Sequence, residues 1–355
     1  MDKNSDVLFS AAAAFLLCVL GVIFFSISNS YPFYLAFDMD LNVVEDVVLI
    51  QIGVLPNHLH HPSFGMNLLL AITQTIAYSY HRLSLLNLND IAVSLNPLAG
   101  MAELTVFFRL HSPALVIGII VSLWTALRIL CPHSKRQSLL ILAVMGTQAS
   151  FFYHAAFIRS ELYAVFYWSL AVLFSALSLK TDSLNKRLLH LLACGFFLGL
   201  SDLSKVQSIF YILALPALYV YFVSISGNNF QAFNPARILK LSILNIVVFA
   251  GLFIGASLTA IPSDFAVFST RYIINLDALL FSVVLLASPV FQKRHQKDRE
   301  ILFYAQTAAI MASGFLLAFL THFFVYKDPH MSFKYLLFDF KIVFLCTSSN
   351  SNLSA

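Results

Sequence analysis

The sequence predicts an all-α protein, a polytopic transmembrane helical bundle. Hydrophobic residues make up 59% of its 355 positions, only 11% of the residues are charged, and the mean hydropathy is +0.83. A soluble globule of this composition would expose far more apolar surface than its polar side chains can cover. The apolar residues also occur in runs of about 20, the length that crosses a bilayer core as a helix.

The first run, Val7 to Ser28, lacks a small-residue cleavage site after it, so we expect a retained helix and not a removed signal peptide. We expect about eleven helices in a single transmembrane domain over residues 1–355, without a C-terminal soluble domain. The predicted crossings are Val7 to Ser28, Pro62 to Tyr80, Ile91 to Leu110, Pro113 to Leu130, Ser138 to Tyr153, Glu161 to Leu179, Leu188 to Leu200, Ser204 to Val223, Ile238 to Ala260, Leu276 to Phe291 and Ile301 to Tyr326. A partial twelfth begins near Tyr335.

The segment Ile91 to Leu110 is ambiguous because it contains Glu103 and Arg109 within an otherwise apolar stretch. We count it as a crossing, since the basic loops at 132–137, 180–187 and 292–299 then share the side of the N-terminus, as the positive-inside tendency favours. This topology places Arg136, Lys186 and Arg294 in the cytoplasm. It places Asp40, His60, Arg159, Lys205 and Arg271 on the exoplasmic side.

Charge and imidazole concentrate in the first exoplasmic loop, residues 29–61. Seven ionisable residues lie there: Asp38, Asp40, Glu45, Asp46, His58, His60 and His61. If Asp38 or Asp40 caps a helix, Leu41, Val44 and Val48 form one apolar stripe, which predicts a juxtamembrane helix along the membrane surface. Gly53 and Pro56 would end it.

The spacing of Asp38 and Asp40 leaves their roles open. In an extended backbone both carboxylates project to the same side, as joint metal ligands; otherwise one acts as a base and the other as a helix cap. His60 together with either Asp would suggest a zinc site, but the histidine spacing matches no known ligand pattern. Water, headgroup or phosphate contacts are the alternatives for His58, His60 and His61. No cofactor is assigned, and a divalent metal stays an option.

Several other charged residues stand at predicted exoplasmic helix ends, namely Arg159, Glu161, Lys205 and Arg271. Snorkelling cations and intrahelical pairs also occur at such ends. Lys205 precedes a wholly apolar helix, where a cation can meet a lipid-linked phosphate.

Other chemistries find no support in the sequence. The four cysteines, Cys18, Cys131, Cys194 and Cys346, lie in or beside apolar runs without CxxC spacing. A Gly-rich phosphate loop is missing, and the net charge of +4 is explained by cytoplasmic loops and not by a nucleic-acid partner.

Three stretches together resemble the membrane glycosyltransferases of the GT-C fold, and in particular the protein O-mannosyltransferase and aminoarabinose transferase group. They are FDMDLNVVED with HHPSFGMNLLLA, then FIRSELYAVFYWSLAVLFSALSL, then GFFLGLSDLSKVQSIFYILALPAL. The resemblance covers about Val7 to Val223. It departs from the group where Met39 follows Asp38 in place of the usual Asp-Glu step.

The resemblance implies that Asp38, with Asp40 next, is the catalytic base. It also implies substrate contacts by His61, Arg159, Glu161 and Lys205. His60 and Arg271, which share the predicted exoplasmic side, are further candidate substrate contacts. The donor would be a sugar on a polyprenyl phosphate, undecaprenyl or dolichyl, and the acceptor a lipid, glycan or protein hydroxyl. The compact loops suit a bacterial inner membrane with the site facing outward. A transporter or lipid flippase, or a non-catalytic subunit of this fold, is the alternative.

Overall fold

The computed structural model describes residues 3–28, 32, 40–54, 64–130 and 135–205, and further along 215, 219, 303, 306–315, 317–318 and 321. These residues contain helices and turns but no strand, so the predicted all-α class is confirmed for the part of the chain described. The chain divides into two compact units. The first comprises Met1–His58 and Ser63–Leu173, and the second Leu59–Pro62 and Phe174–Ala355.

The described residues up to 204 form ten helices. They are α1 (Lys3–Ser28), α2 (Asn42–Gln51), α3 (Phe64–Ser79), α4 (Leu88–Val93), α5 (Pro97–Arg109), α6 (His111–Leu130), α7 (Lys135–Gly146), α8 (Ala149–Ala155), α9 (Ser160–Lys180) and α10 (Leu184–Ser204). Residues 306–315 are also helical.

Four apolar helical stretches in the described ranges are long enough to cross a membrane: Phe9–Ser28, Pro97–Leu130, Ser160–Lys180 and Leu184–Ser204. The pair formed by Gln137–Gly146 and Ala149–Ala155, bent by 50°, is a fifth if it is counted as one broken span. The chain is therefore a protein with apolar, membrane-length helices. The predicted crossings from Ser204 to Phe291, and the partial one near Tyr335, lie outside the described residues apart from isolated positions.

The predicted crossing Ile91 to Leu110 is wrong. Its first residues end α4, the chain breaks at residues 94–96, and α5 begins at Pro97 with the Asn96 side chain accepting from the Ala99 amide. Only Leu110 separates α5 from α6, and the two form one helical stretch of 34 residues. A stretch that keeps its direction cannot be two antiparallel crossings.

Aromatic contacts show how α1 and α6 pack. The Phe9 ring lies 6.0 Å from the Trp124 ring, and the Arg128 guanidinium lies 4.5 Å from the Phe9 ring centroid. The start of α1 thus meets the end of α6, and the two helices are antiparallel. Phe24, near the other end of α1, lies 5.2 Å from Phe152 in α8.

The predicted crossing Pro62 to Tyr80 is present as the helix α3, Phe64–Ser79. With 16 residues, α3 is shorter than the four membrane-length stretches, and whether it crosses a membrane stays a prediction. Arg109, the last residue of α5, bonds to Asp40, which follows the end of α1. The membrane sides assigned to the helix ends stay predictions.

The helix predicted after the acidic residues exists, as α2, and Gly53 ends it with a positive φ of 73°. Its stripe residues Val44 and Val48 are buried, because α2 packs against α3 and α5. The predicted cap is wrong for Asp40. Leu41 is the N-cap residue of α2, and no side chain caps it.

In the second unit, α10 packs against residues 306–315 at backbone distance. Gly195 and Gly199 form a GxxxG pattern, and a Cβ atom at Gly195 would overlap the Met311 carbonyl. Gly314 meets the α10 backbone in the same way, at the Leu192 carbonyl. Small residues of this spacing let transmembrane helices approach closely. Close van der Waals packing then stabilises the helix pair, because the hydrophobic effect does not favour association of apolar helices in lipid.

Candidate functional site

The first unit contains a buried ion pair between Asp40 and Arg109. The Arg109 Nη2 and Nε atoms lie 2.5 Å and 2.7 Å from Asp40 Oδ2. Both side chains are almost fully inaccessible, at 0% and 2% exposure. The other carboxylate oxygen, Oδ1, accepts a hydrogen bond of 2.9 Å from the Ile158 amide. Each oxygen of this carboxylate therefore has a strong donor.

The pair joins three chain segments that are distant in sequence, around residues 32–40, 109 and 158. Arg109 also donates to the Pro32 carbonyl at 3.1 Å, so it contacts the chain beyond α1 as well as the start of α2. Ile158 belongs to the short connection between α8 and α9. A second, partly buried contact holds that connection, because Ser112 Oγ donates to the Phe157 carbonyl at 2.7 Å.

Polar contacts also hold α3 beside this region. His111 Nε2 lies 2.8 Å from Thr73 Oγ1, and Tyr167 donates its phenol to the Gly65 carbonyl at 2.9 Å. The Tyr163 phenol, one turn before Tyr167 on α9, is fully buried and has no hydrogen-bond partner among the described residues. Buried polar groups without partners are rare in native structures. This hydroxyl is thus a candidate ligand-facing group.

Electrostatics and geometry favour different roles for Asp40. Burial raises the pKa of Asp40 above its ordinary value, although the Ile158 amide and the Arg109 guanidinium act in the opposite direction. A raised carboxyl pKa suits a general base at neutral pH. A general base, however, must also reach the hydroxyl proton that it removes. In the structure, both oxygens of Asp40 face protein donors.

Arg159 and Glu161 lie directly beyond this buried pair. The Arg159 Nε and Glu161 Oε2 atoms are 3.7 Å apart, and their side chains are 23% and 38% exposed. The Arg159 guanidinium also lies 5.5 Å from the Tyr153 ring centroid. This partly exposed ion pair presents both signs of charge next to a buried one.

Lys205 lies in the second unit, where it is the C-cap residue of α10 and donates its amide to the Ser201 carbonyl at 3.0 Å. Asp202, one turn earlier, is only 3% exposed. Its Oδ1 atom has no hydrogen-bond partner among the described residues. An ionisable residue in a membrane helix is rare and usually functional.

The other predicted site residues, Asp38, His60, His61 and Arg271, lie outside the described residues, as does His58. Their roles stay predictions. Within the described ranges, no three His, Cys, Asp or Glu side chains come together as metal ligands.

Sequence reasoning missed Arg109, Asp202 and Tyr163 as site residues. For Arg109 and Asp202, the signal in the sequence was a charged residue inside a long apolar run, which indicates a buried partner or a function. Tyr163 carries no such signal, because an unpartnered phenol is visible only in the packed structure.

Comparison with models of known protein families, with curated proteins and with solved structures finds no match to this chain. The resemblance to GT-C glycosyltransferases therefore depends on the sequence stretches alone.

Proposed function

We propose that the chain is an integral-membrane glycosyltransferase of the GT-C type, which moves a sugar from a polyprenyl phosphate to an exoplasmic hydroxyl. The observation that carries this proposal is the charge arrangement at one end of the first unit. There, Asp40 of the acidic segment forms an ion pair with Arg109 and accepts a hydrogen bond from the Ile158 amide. These contacts hold the acidic segment beside the ion pair of Arg159 and Glu161.

The chemistry needs few groups. A carboxylate removes or orients the acceptor proton, and a cation stabilises the phosphate that leaves. The acidic segment supplies the carboxylate, from Asp38 or Asp40. Arg159 and Lys205 are the cations offered to substrate, with His60, His61, Glu161 and Arg271 as further contacts. The bilayer itself delivers the lipid-borne donor.

The test of this function begins with mass spectrometry of envelope glycans from cells with and without the gene, which identifies sugar and acceptor together. Asp38→Asn keeps the side-chain shape and removes the proton acceptor, so turnover should fall by roughly 100-fold or more at unchanged protein level. Unchanged glycans after gene deletion would remove the proposal.

A transporter is the second candidate, and two observations favour it. The α7–α8 span is bent by 50°, and broken helices are typical of transporter binding sites. Asp202 is a buried carboxylate within the α10 span. Purified protein in detergent separates the two functions, because glycosyl transfer from a lipid-linked sugar continues in micelles, whereas transport requires a sealed vesicle.

A further inference from the structure

We propose that Asp40 and Arg109 form a positioning pair that holds the segment 157–161, and that Asp40 is not the proton acceptor of the reaction. The catalytic half of this inference rests on the proposed function, whereas the positional half does not. The catalytic half decides which of Asp38 and Asp40 is the proton acceptor, because their spacing in the sequence does not distinguish them.

The first argument is the occupancy of the carboxylate. The Arg109 guanidinium lies 2.5 Å from Oδ2 and the Ile158 amide lies 2.9 Å from Oδ1. A base must come within about 2.6–3.2 Å of the hydroxyl that it deprotonates. Asp40 has 0% exposure, so an acceptor hydroxyl would have to displace one of these donors.

The second argument is the cost of such a displacement. Arg109 is 1% exposed, and separating it from Asp40 would leave two opposite charges buried without each other. Removal of one partner of a buried pair is strongly destabilising, whereas neutral replacement of both partners is often tolerated. The pair is therefore a fixed feature of the fold and not a group that opens in each turnover.

The third argument is what the pair holds. The Ile158 N–H donates to Asp40 and the Phe157 carbonyl accepts from Ser112, so both polar atoms of the single peptide group that joins Phe157 and Ile158 are bonded to buried side chains. Arg159 follows immediately, and α9 starts at Ser160. The direction in which Arg159 and Glu161 project is thus set by Asp40, which acts through the backbone and not on the substrate.

The experiment measures position independently of activity. Glu161→Cys is introduced into a background in which the four native cysteines are replaced, and its rate of labelling by a membrane-impermeant maleimide is followed. We expect Asp40→Asn and Arg109→Gln each to raise the rate by about 10-fold, since each frees the connection to open locally. We expect Asp40→Asn combined with Arg109→Gln to return it to within about 2-fold of the parent, since no buried charge is left unpaired.

The matched control is Arg128→Gln, which removes another arginine of α6 that lies over Phe9 at the opposite end of the helix. It should leave labelling at Glu161→Cys unchanged. Single variants that label like the parent would overturn the proposal. A double variant that labels as fast as the singles, or that does not accumulate when the parent does, would also overturn it. If the singles fail to fold and the double folds, the pairing is supported directly.

A catalytic arm separates this proposal from the proposed function. With the polyprenyl-phosphate sugar identified from the envelope glycans, the Asp40→Asn and Arg109→Gln double variant should recover most of the turnover that Asp40→Asn loses. Arg109→Gln should not rescue Asp38→Asn. A double variant with parental labelling that stays as inactive as Asp38→Asn would make Asp40 the base and overturn the proposal. Restored labelling without sugar transfer by any variant, the parent included, would remove the proposed function and leave the positioning pair in place.

Discussion

Asp40 and Asp202 are both carboxylates with almost no solvent exposure, at 0% and 3%, in two different units of the chain. Asp40 receives the Arg109 guanidinium on one oxygen and the Ile158 amide on the other. Asp202 has an oxygen without a hydrogen-bond partner among the described residues. The comparison shows that burial alone does not define the role of a carboxylate. The carboxylate of Asp40 has both oxygens occupied by protein donors, whereas that of Asp202 keeps one acceptor that no described residue uses.

The largest expected effect breaks the satisfied pair. Arg109→Ala leaves Asp40 as a buried carboxylate without its counter-charge, so the free energy of unfolding should fall by about 3–5 kcal/mol. Unfolding in mixed micelles with increasing SDS measures it. Arg128→Ala is the control, because it removes only a contact with the Phe9 ring, and it should cost about 0.5–1 kcal/mol. Equal losses in the two variants would show that the buried pair contributes no special stability.

The next effect tests whether the end of α10 that carries Asp202 is a binding site. Lys205→Ala should weaken use of a lipid-phosphate donor by about 1.5–3 kcal/mol, the size of a charge-assisted hydrogen bond. Lys205→Arg should lose less, because the charge is retained. Turnover at low donor concentration is the measurement. Equal turnover of the parent and the Ala variant would assign Lys205 to interfacial anchoring.

Much of the fold was predictable, because hydropathy marks membrane-length helices such as α1, α9 and α10. The crossing at Ile91 to Leu110 was not, since an apolar run of sufficient length looks the same whether it crosses or continues the next helix. The positive-inside tendency did not detect the error, because it weighs the charges of the loops and does not show which helices are continuous.

The site was predictable in composition and not in contacts. Sequence clustering singled out Asp40, yet its partners Arg109 and Ile158 lie 69 and 118 residues away. Local spacing therefore predicted a helix cap or a base, the two roles that a neighbourhood of a few residues can define. The role of Asp40 follows instead from long-range packing, to which a single sequence gives no access.

A further prediction concerns how helices pack within the second unit. Gly195→Ala places a methyl group against the Met311 carbonyl, so the helices must separate, and overpacking of this kind costs about 1–3 kcal/mol. Gly21→Ala in α1 is the matched control, since nothing lies within 4 Å of a Cβ there. The same unfolding assay should show no loss for Gly21→Ala. Equal stability of both variants would contradict close packing of α10 on residues 306–315.

The smallest effect is expected for Asp202→Asn, which is compared with the same substitution at Asp40. Asp40→Asn should destabilise, because it removes the charged partner of two Arg109 nitrogen atoms in a buried ion pair. Asp202→Asn removes a carboxylate that has an unsatisfied oxygen, so it should leave stability unchanged or raise it by about 1 kcal/mol. The two variants are compared in the same unfolding assay, and transfer or transport is measured on each. A stable but inactive Asp202→Asn protein would mean that the unpaired carboxylate is kept for function, since such sites trade stability for activity. A loss as large as that of Asp40→Asn would instead mean that Asp202 has a structural partner, and the contrast between the two carboxylates would not hold.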